Sequence, residues 1–232
     1  MYKRQAFLYD YTNQQLATNL QLPSGQLIAI TENIGHAKIK GAEIAVDWLP
    51  LEHTRLGFNV QWAEGNYDSL LTLSPTGRTG NNATSACAVT QLHGPPIDTQ
   101  PNLFQVDCGG LGFVNLSKWS YNLDASQTLP LSNGAAFVAE VNFRFQSARN
   151  SSLTFVAGSR TPASSFLDAN IRYRAASGKW DLTAFVNNAV DSQRVVNAAP
   201  QAGNPRTVAA NNVSFTPITV PRTYGLRANY YY

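Results

Sequence analysis

The sequence predicts an all-β chain of about eight antiparallel strands in an up-and-down meander. These would form the wall of a transmembrane β-barrel, with short periplasmic turns and long extracellular loops. Three observations carry this reading. Apolar and polar residues alternate with a period of two through eight segments, several of ten or more residues, where globular strands average about five or six. The connections alternate between short and long. Charged residues are 13% of the 232 positions, about half the globular norm, while aromatics reach 11%, so the surface is not composed for water on every side.

The first segment, near residues 4 to 13, has the weakest pattern: Phe7, Tyr9 and Tyr11 alternate with Ala6, Leu8 and Asp10. Residues 36 to 48 set Ala42, Ile44, Val46 and Trp48 against Glu43 and Asp47. Residues 54 to 64 set Leu56, Phe58, Val60 and Trp62 against Arg55, Asn59 and Gln61. Between 119 and 129, Trp119, Tyr121, Leu123, Ala125 and Leu129 oppose Asn122, Asp124, Ser126 and Thr128. Between 135 and 146, Phe137, Ala139, Val141, Phe143 and Phe145 oppose Glu140, Asn142, Arg144 and Gln146. Leu167, Ala169, Ile171 and Tyr173 then oppose Asp168, Asn170, Arg172 and Arg174, and Trp180, Leu182, Ala184 and Val186 oppose Asp181, Thr183 and Asn187. The chain closes on "PRTYGLRANYYY", where Tyr224, Leu226, Ala228, Tyr230 and Tyr232 share one face and Thr223, Gly225, Arg227, Asn229 and Tyr231 the other. Alternation alone does not say which face is wet. Length favours lipid on the apolar side, because a tilted crossing needs about 9 to 11 residues.

Short links fall at 49 to 54, 129 to 135 and 174 to 180, each with Pro, Asn-Gly or Ser-Gly. Long ones fall at 14 to 35, 69 to 117, 147 to 163 and 189 to 219. A barrel sorts its loops in this way and a soluble sandwich has no reason to. Trp48, Tyr173, Trp180 and Tyr230 to Tyr232 lie near the short-turn ends, and Trp62 and Trp119 near the long-loop ends. Two levels of aromatic rings are what membrane interfaces select.

Other classes find no support. No apolar run approaches the roughly 20 residues of a membrane helix. The net charge of +3 is small and scattered, so no nucleic-acid partner is expected. Three dispersed histidines make no catalytic triad, and neither a catalytic residue nor a cofactor is assigned. Gly109, Gly110 and Gly112 do not lead from a strand into a helix, as a phosphate loop would. The start, "MYKRQAFLYDY", lacks the apolar stretch of a secretory signal.

Three stretches resemble the C-terminal barrel region of TonB-dependent outer-membrane receptors. "ENIGHAKIKGAEIAVDWLP" carries Asn33, Gly35, Ala37, Gly41 and Glu43 at the spacing of a recurrent strand of that family. "WDLTAFVNNAVDSQ" is similar to the penultimate strand, with Asn187, Asn188 and Asp191, and "VPRTYGLRANYYY" to the closing strand. Two departures are Tyr232, where the family usually ends on Phe, and the small Ala228. The resemblance covers essentially the whole chain. It implies residues 1-232 are the last eight strands of a larger barrel, with plug domain, TonB box and signal peptide lying outside it. It further implies a bacterial outer-membrane location. The partners would be outer-membrane lipid, the rest of the receptor, the TonB complex and the barrel assembly machinery, which reads Gly225, Tyr230 and Tyr232. The solute would be extracellular and scarce, such as a siderophore.

Cys87 and Cys108, 21 positions apart in the longest loop, are expected to form a disulfide, as an even pair in an exported protein does. A metal site with His93 lacks ligands at short spacing. Arg55, Asp124, Glu140, Arg144, Asp168, Arg172 and Arg227 share the polar face and would look into the lumen, touching plug or solute; mutual ion pairing is the competing reading. Phe104 and Phe113, apolar residues within the long loop, are candidates to face a ligand. Two alternatives to a receptor fragment stay open at this stage: a self-contained eight-stranded porin-like or structural barrel, and a soluble secreted β-sandwich binding protein.

Overall fold

A strand with one oily and one polar face needs a different solvent on each side, and the chain meets that need by laying such strands edge to edge. A computed structural model describes residues 1–21, 27–74, 86–93, 103–153, 155, 160–194, 199–200, 214–215 and 218–232. The strands are β1 (Tyr2–Gln21), β2 (Leu27–Leu51), β3 (Thr54–Ser74), β4 (Ala88–His93), β5 (Leu103–Asp107), β6 (Trp119–Pro130) and β7 (Ala136–Gln146). They continue with β8 (Arg149–Asn150), β9 (Arg160–Thr161), β10 (Ser164–Arg174), β11 (Trp180–Asn187), β12 (Ala199–Pro200), β13 (Ser214–Phe215) and β14 (Thr223–Tyr230).

Eight of these form an antiparallel wall in the order β1-β2-β3-β6-β7-β10-β11-β14, each wall strand beside the next one in the chain. β5 extends the upper part of β3 and pairs with β4, while β8-β9 and β12-β13 are small ribbons inside the long connections. Among the described residues β1 and β14 form the two edges and are not paired with each other.

The three short turns each spend one residue in the left-handed region: His53 at φ 66°, Gly134 at φ 84° and Gly178 at φ 68°. Asn-Gly and Ser-Gly mark the last two in the sequence, since glycine enters that region freely. Nothing in "LPLEHT" marks His53.

The wall is taller on one side than the sequence suggests. Within the expected loop of residues 14 to 35, residues 14 to 21 and 27 to 35 instead continue the β1-β2 ribbon, with Leu16 opposite Glu32 and Gln21 opposite Leu27. Residues 69 to 74 likewise prolong β3. These stretches rise beyond the apolar band of the outer face, and there Leu70 packs into a local core with Tyr67 and Val106. An oily stripe is then unnecessary, and the period-two signal disappears with it.

On the outer face Leu8, Ile44, Trp48, Phe58, Leu123, Val141, Ile171, Leu182 and Leu226 are all exposed, Leu226 by 73%. A soluble domain rarely leaves so continuous an apolar surface uncovered. Rings bound it above and below. At the upper level Trp62 stands opposite Trp119 in register, and Tyr121 stacks on Phe145 at 4.7 Å. At the lower level Phe137, Tyr173 and Trp180 follow one another at 5.2 and 5.4 Å, and Trp180 pairs with Tyr230. From Trp119 to Leu129 the strand runs about 33 Å at 3.3 Å per residue. Tilted by about 45°, that spans roughly 23 Å, close to the ~25 Å apolar band of an outer-membrane wall.

One step above Trp62 the outer face changes character. Glu64 pairs with Lys118 at 3.0 Å and Lys40 at 3.6 Å. Higher still, Asp68 takes Lys38 at 2.9 Å, and His36 lies between Asp10 at 2.6 Å and Asp68 at 3.1 Å. Lys118 holds the Glu64 carboxyl below its usual range, and Asp68 holds the Lys38 amine above its own. Apolar surface gives way to ion pairs at Lys40 and Glu64 on β2 and β3 and one step higher, at Asp10, on β1, as it would on leaving hydrocarbon.

Candidate functional site

The inner face of the wall is a polar lattice. Asp124 accepts the side-chain amides of Asn122 and Asn142, both at 2.6 Å. Arg144 pairs with Asp168 at 2.6 Å while lying 5.7 Å from the centre of the Phe166 ring. Glu140 accepts Asn170 at 3.0 Å, with Arg172 at 3.9 Å. Arg55 forms a two-pronged bond to Asp47 at 2.9 and 3.1 Å, and Arg227 lies over Phe185 at 5.5 Å. Arg55 and the carboxylates it was grouped with therefore do not form one cluster. They are spread over several pairs and amide contacts, each tying neighbouring strands together.

A cavity of about 950 Å³ lies against this face. Every wall strand contributes to it, from Gln5 on β1 and Glu43 on β2 through Gln61, Asn122, Arg144 and Asp168 to Asn187 and Thr223. The wall is thus curled with its polar side inward. Arg194, beyond β11, also reaches the cavity. Burial and the nearby Arg149 both lower its tendency to hold a proton.

The mouth at the long-loop end has a small core of its own. Ala37, Tyr67, Leu70, Cys87, Val106, Cys108 and Phe155 are buried together, with Leu111, Phe113, Val114 and Leu153 against them. Cys87 and Cys108 are bonded to each other, with Cα atoms 4.4 Å apart, so neither sulfur is available as a thiolate ligand. The bridge packs against Leu153, with the Cys108 sulfur 3.5 Å from the Leu153 carbonyl oxygen. Burial pushes the Tyr67 hydroxyl up, against a weaker contact from the Val114 backbone. Phe113 stacks on Tyr67 at 5.0 Å and Tyr11 at 6.2 Å, and Phe104 is half-buried on β5 opposite Ser74 and Gln91. The Phe113 ring is therefore packed against rings of β1 and β3.

One strand reverses expectation. Grouped with the apolar sets of the other strands, Phe7, Tyr9 and Tyr11 would face outward, yet they stand opposite Gly41, Ile39 and Ala37 and share the inner side with Gln5 and Glu43, which are hydrogen-bonded at 2.7 Å. Leu8, 72% exposed, takes the outer side. Gly41 makes this possible: a Cβ there would come within 2.3 Å of the Phe7 ring and 2.5 Å of the Trp62 carbonyl oxygen. A glycine in mid-strand is the mark of such a close approach.

An antiparallel meander with an oily exterior, a hydrogen-bonded interior and loops sorted by length is a barrel wall. The family model for the TonB dependent receptor-like β-barrel matches residues 5–189. The chain belongs to that family. A solved structure, the ferric yersiniabactin uptake receptor FyuA from Yersinia pestis, is similar at a TM-score of 0.65 and 12% identity, covering 99% of this chain and 27% of that one. The chain therefore spans about a quarter of that receptor's length, and the likeness speaks to fold alone. No curated protein matches the sequence. TonB-dependent receptor barrels are outer-membrane proteins that work with a plug domain and TonB.

Within this TonB-dependent receptor barrel, the two stretches that resemble the family's last strands form a clasp. Asn188, 5% exposed, donates to the Ser192 and Val220 carbonyls at 2.9 and 3.2 Å and accepts the Ser192 amide at 2.9 Å. Its own amide donates to Asp168 at 2.8 Å. Asp191 accepts the Arg222 amide at 2.9 Å. Both residues have positive φ, 52° and 53°, which Asn and Asp tolerate better than most. On the closing strand Gly225 lies under Phe185, with room for a Cβ only 3.1 Å from that ring. Tyr230 and Tyr232 meet edge to face at 5.3 Å on the outer side, while Tyr231 turns inward and donates to Asp181 at 2.6 Å.

Proposed function

We propose that the chain is the C-terminal eight strands of a TonB-dependent receptor in a bacterial outer membrane. The complete receptor takes up a scarce solute, such as a siderophore, with energy delivered through TonB. The plug domain, the TonB box and the signal peptide belong to the rest of that receptor, and neither this segment nor the whole is an enzyme. The observation that carries the reading is the two-solvent wall: an uncovered apolar exterior between two aromatic levels, with a hydrogen-bonded interior around a 950 Å³ cavity. The family match supports the coupling to TonB. The unpaired edges β1 and β14 fit a larger barrel better than a self-contained eight-stranded one, which would join them.

The test is uptake. Cells lacking the gene should lose accumulation of at least one radioiron chelate from iron-starved culture medium, and cells lacking TonB should lose it too. The intact protein should fractionate with the outer membrane and shift in mobility on heating. Recovery in the soluble fraction sinks the membrane reading. Folded protein in the outer membrane with unchanged, TonB-independent uptake sinks the transport reading alone.

A further inference from the structure

The inward rings of β1 do not stand alone. Centroids follow one another from Phe7 to Tyr9 at 5.1 Å, Tyr9 to Tyr11 at 6.0 Å, Tyr11 to Phe113 at 6.2 Å and Phe113 to Tyr67 at 5.0 Å. Elsewhere the inner face carries amides, carboxylates and guanidiniums, with the Phe166 and Phe185 rings covered by Arg144 and Arg227; here it carries a ladder of five rings. Its bed is made of small or apolar residues on β2 and β3. Ala37, Ile39, Gly41, Ala63 and Gly65 are all buried, so the rings lie over the wall rather than standing off it. No ionisable carboxylate or cation shares the inner side at these levels of the three strands. Tyr9 and Tyr11, which the register sets on the inner side opposite Ile39 and Ala37, nevertheless remain 49% and 43% exposed.

The ladder's level says what reaches it. Phe7 stands opposite Gly41, one residue from Lys40 in the ion-paired layer where the outer face leaves the apolar band. From there Tyr9 and Tyr11 climb away from the membrane, to the packed mouth around Tyr67. Below Phe7 the next inward side chain is Gln5, which lines the cavity. The rings therefore form a path from the outer mouth to the cavity, within reach of a molecule arriving from outside.

We propose that Tyr9 and Tyr11, with Phe7 beneath them, are a stacking site for an uncharged solute that carries a flat aromatic ring. Two half-open ring faces in series, with phenol hydroxyls and without formal charge around them, favour offset π contact over ion pairing. The site selects aromatic over saturated rings of equal size, and that selectivity is the content of the proposal. It rests on the receptor reading above, because the solute enters as a cargo.

The test uses three neutral iron(III) complexes with one donor set: tris(benzohydroxamate), tris(cyclohexanecarbohydroxamate) and tris(acetohydroxamate). Binding to the complete detergent-solubilised receptor is measured by equilibrium dialysis with radioiron, after heat-modifiability has shown that the barrel is folded. The benzohydroxamate complex should bind at least tenfold more tightly than the cyclohexane one. The Tyr9→Leu/Tyr11→Leu double variant should reduce that ratio below about twofold, and the Tyr9→Phe/Tyr11→Phe variant should keep it. Equal binding of the two ring complexes overturns the proposal, as does selectivity that survives in the Leu variant or a folded receptor that binds none of the three. The rest of the receptor covering the ladder is a further overturning outcome: a Tyr11→Cys variant, with the native cysteines bonded, would then resist maleimide on intact cells. Each of these results leaves uptake and the folded barrel untouched, so the stacking site can fail while the receptor reading stands.

Discussion

Replacing Val141 by Arg puts the two-solvent wall to its most direct test. Val141 projects outward from the middle of β7, in register with Ala125 and Ala169 and 43% exposed. Phe137 and Phe145 lie four residues to either side, about 13 Å of strand each way, or roughly 9 Å along the membrane normal at a 45° tilt. That places Val141 near the midplane, where Arg on the lipid face costs about 2 to 4 kcal/mol. At Asn142, one residue on, the same change points inward beside the Asp124 carboxylate, which Asn142 already contacts at 2.6 Å. There a guanidinium gains a charged partner in a wet interior, and the expected cost is below about 1 kcal/mol. The complete protein would be refolded into liposomes and unfolded with urea, with the heat-modifiable band as readout. A difference of about 3 kcal/mol between the two variants is a factor of about 150 in the folding equilibrium. Equal costs, or a greater cost at 142, would refute the assignment of faces and with it the membrane reading.

Three further outcomes follow from named contacts. Alkylation of the denatured protein should add no mass at Cys87 and Cys108 unless reductant is present, whereupon two adducts appear; free thiols in protein taken from the outer membrane would contradict the bridge. Gly41→Ala should destabilise by about 1 to 3 kcal/mol through overpacking, and adding Phe7→Ala should recover only part, since the Trp62 carbonyl oxygen still blocks the new methyl; a neutral Gly41→Ala would mean that the Phe7 ring does not lie there. Asn188→Ala should lower the urea midpoint by the equivalent of about 1 to 3 kcal/mol, because it strands buried backbone groups, and Asn188→Asp should lose at least as much, since it sets a buried carboxylate oxygen against the Ser192 and Val220 carbonyls.

The membrane-level strands were legible because one solvent on each side imposes a period of two, which is why Phe137 to Phe145 and Trp180 to Val186 announce themselves. Above that level the constraint lapses: "NQQLATNLQ" pairs with β2 from Gln15 to Gln21, with nothing in its pattern to mark it. β1 misleads for a related reason. Its rings are apolar like the lipid-facing residues, and only the small residues opposite, Gly41 and Ala37 on another strand, decide that they turn inward. The polar side of the candidate site was readable as a set of residues but not as pairs, since pairing depends on register. Asn188 and Asp191 could be matched to a family pattern, yet their role waits on backbone angles that sequence spacing does not encode.

The clasp at the end of β11 has an evolutionary corollary. Val220 and Arg222 are fastened to Asn188 and Asp191, so the start of the last strand is located by a knot at the base of the 189–219 connection and not by the path taken between. Doubling the length of a flexible connection raises its closure cost by only about 0.6 kcal/mol. Insertions, deletions or whole-segment exchanges between Arg194 and Thr219 would then leave the register of β14 on β11 as it is. Selection can rewrite this stretch while the wall beneath it stays in tune.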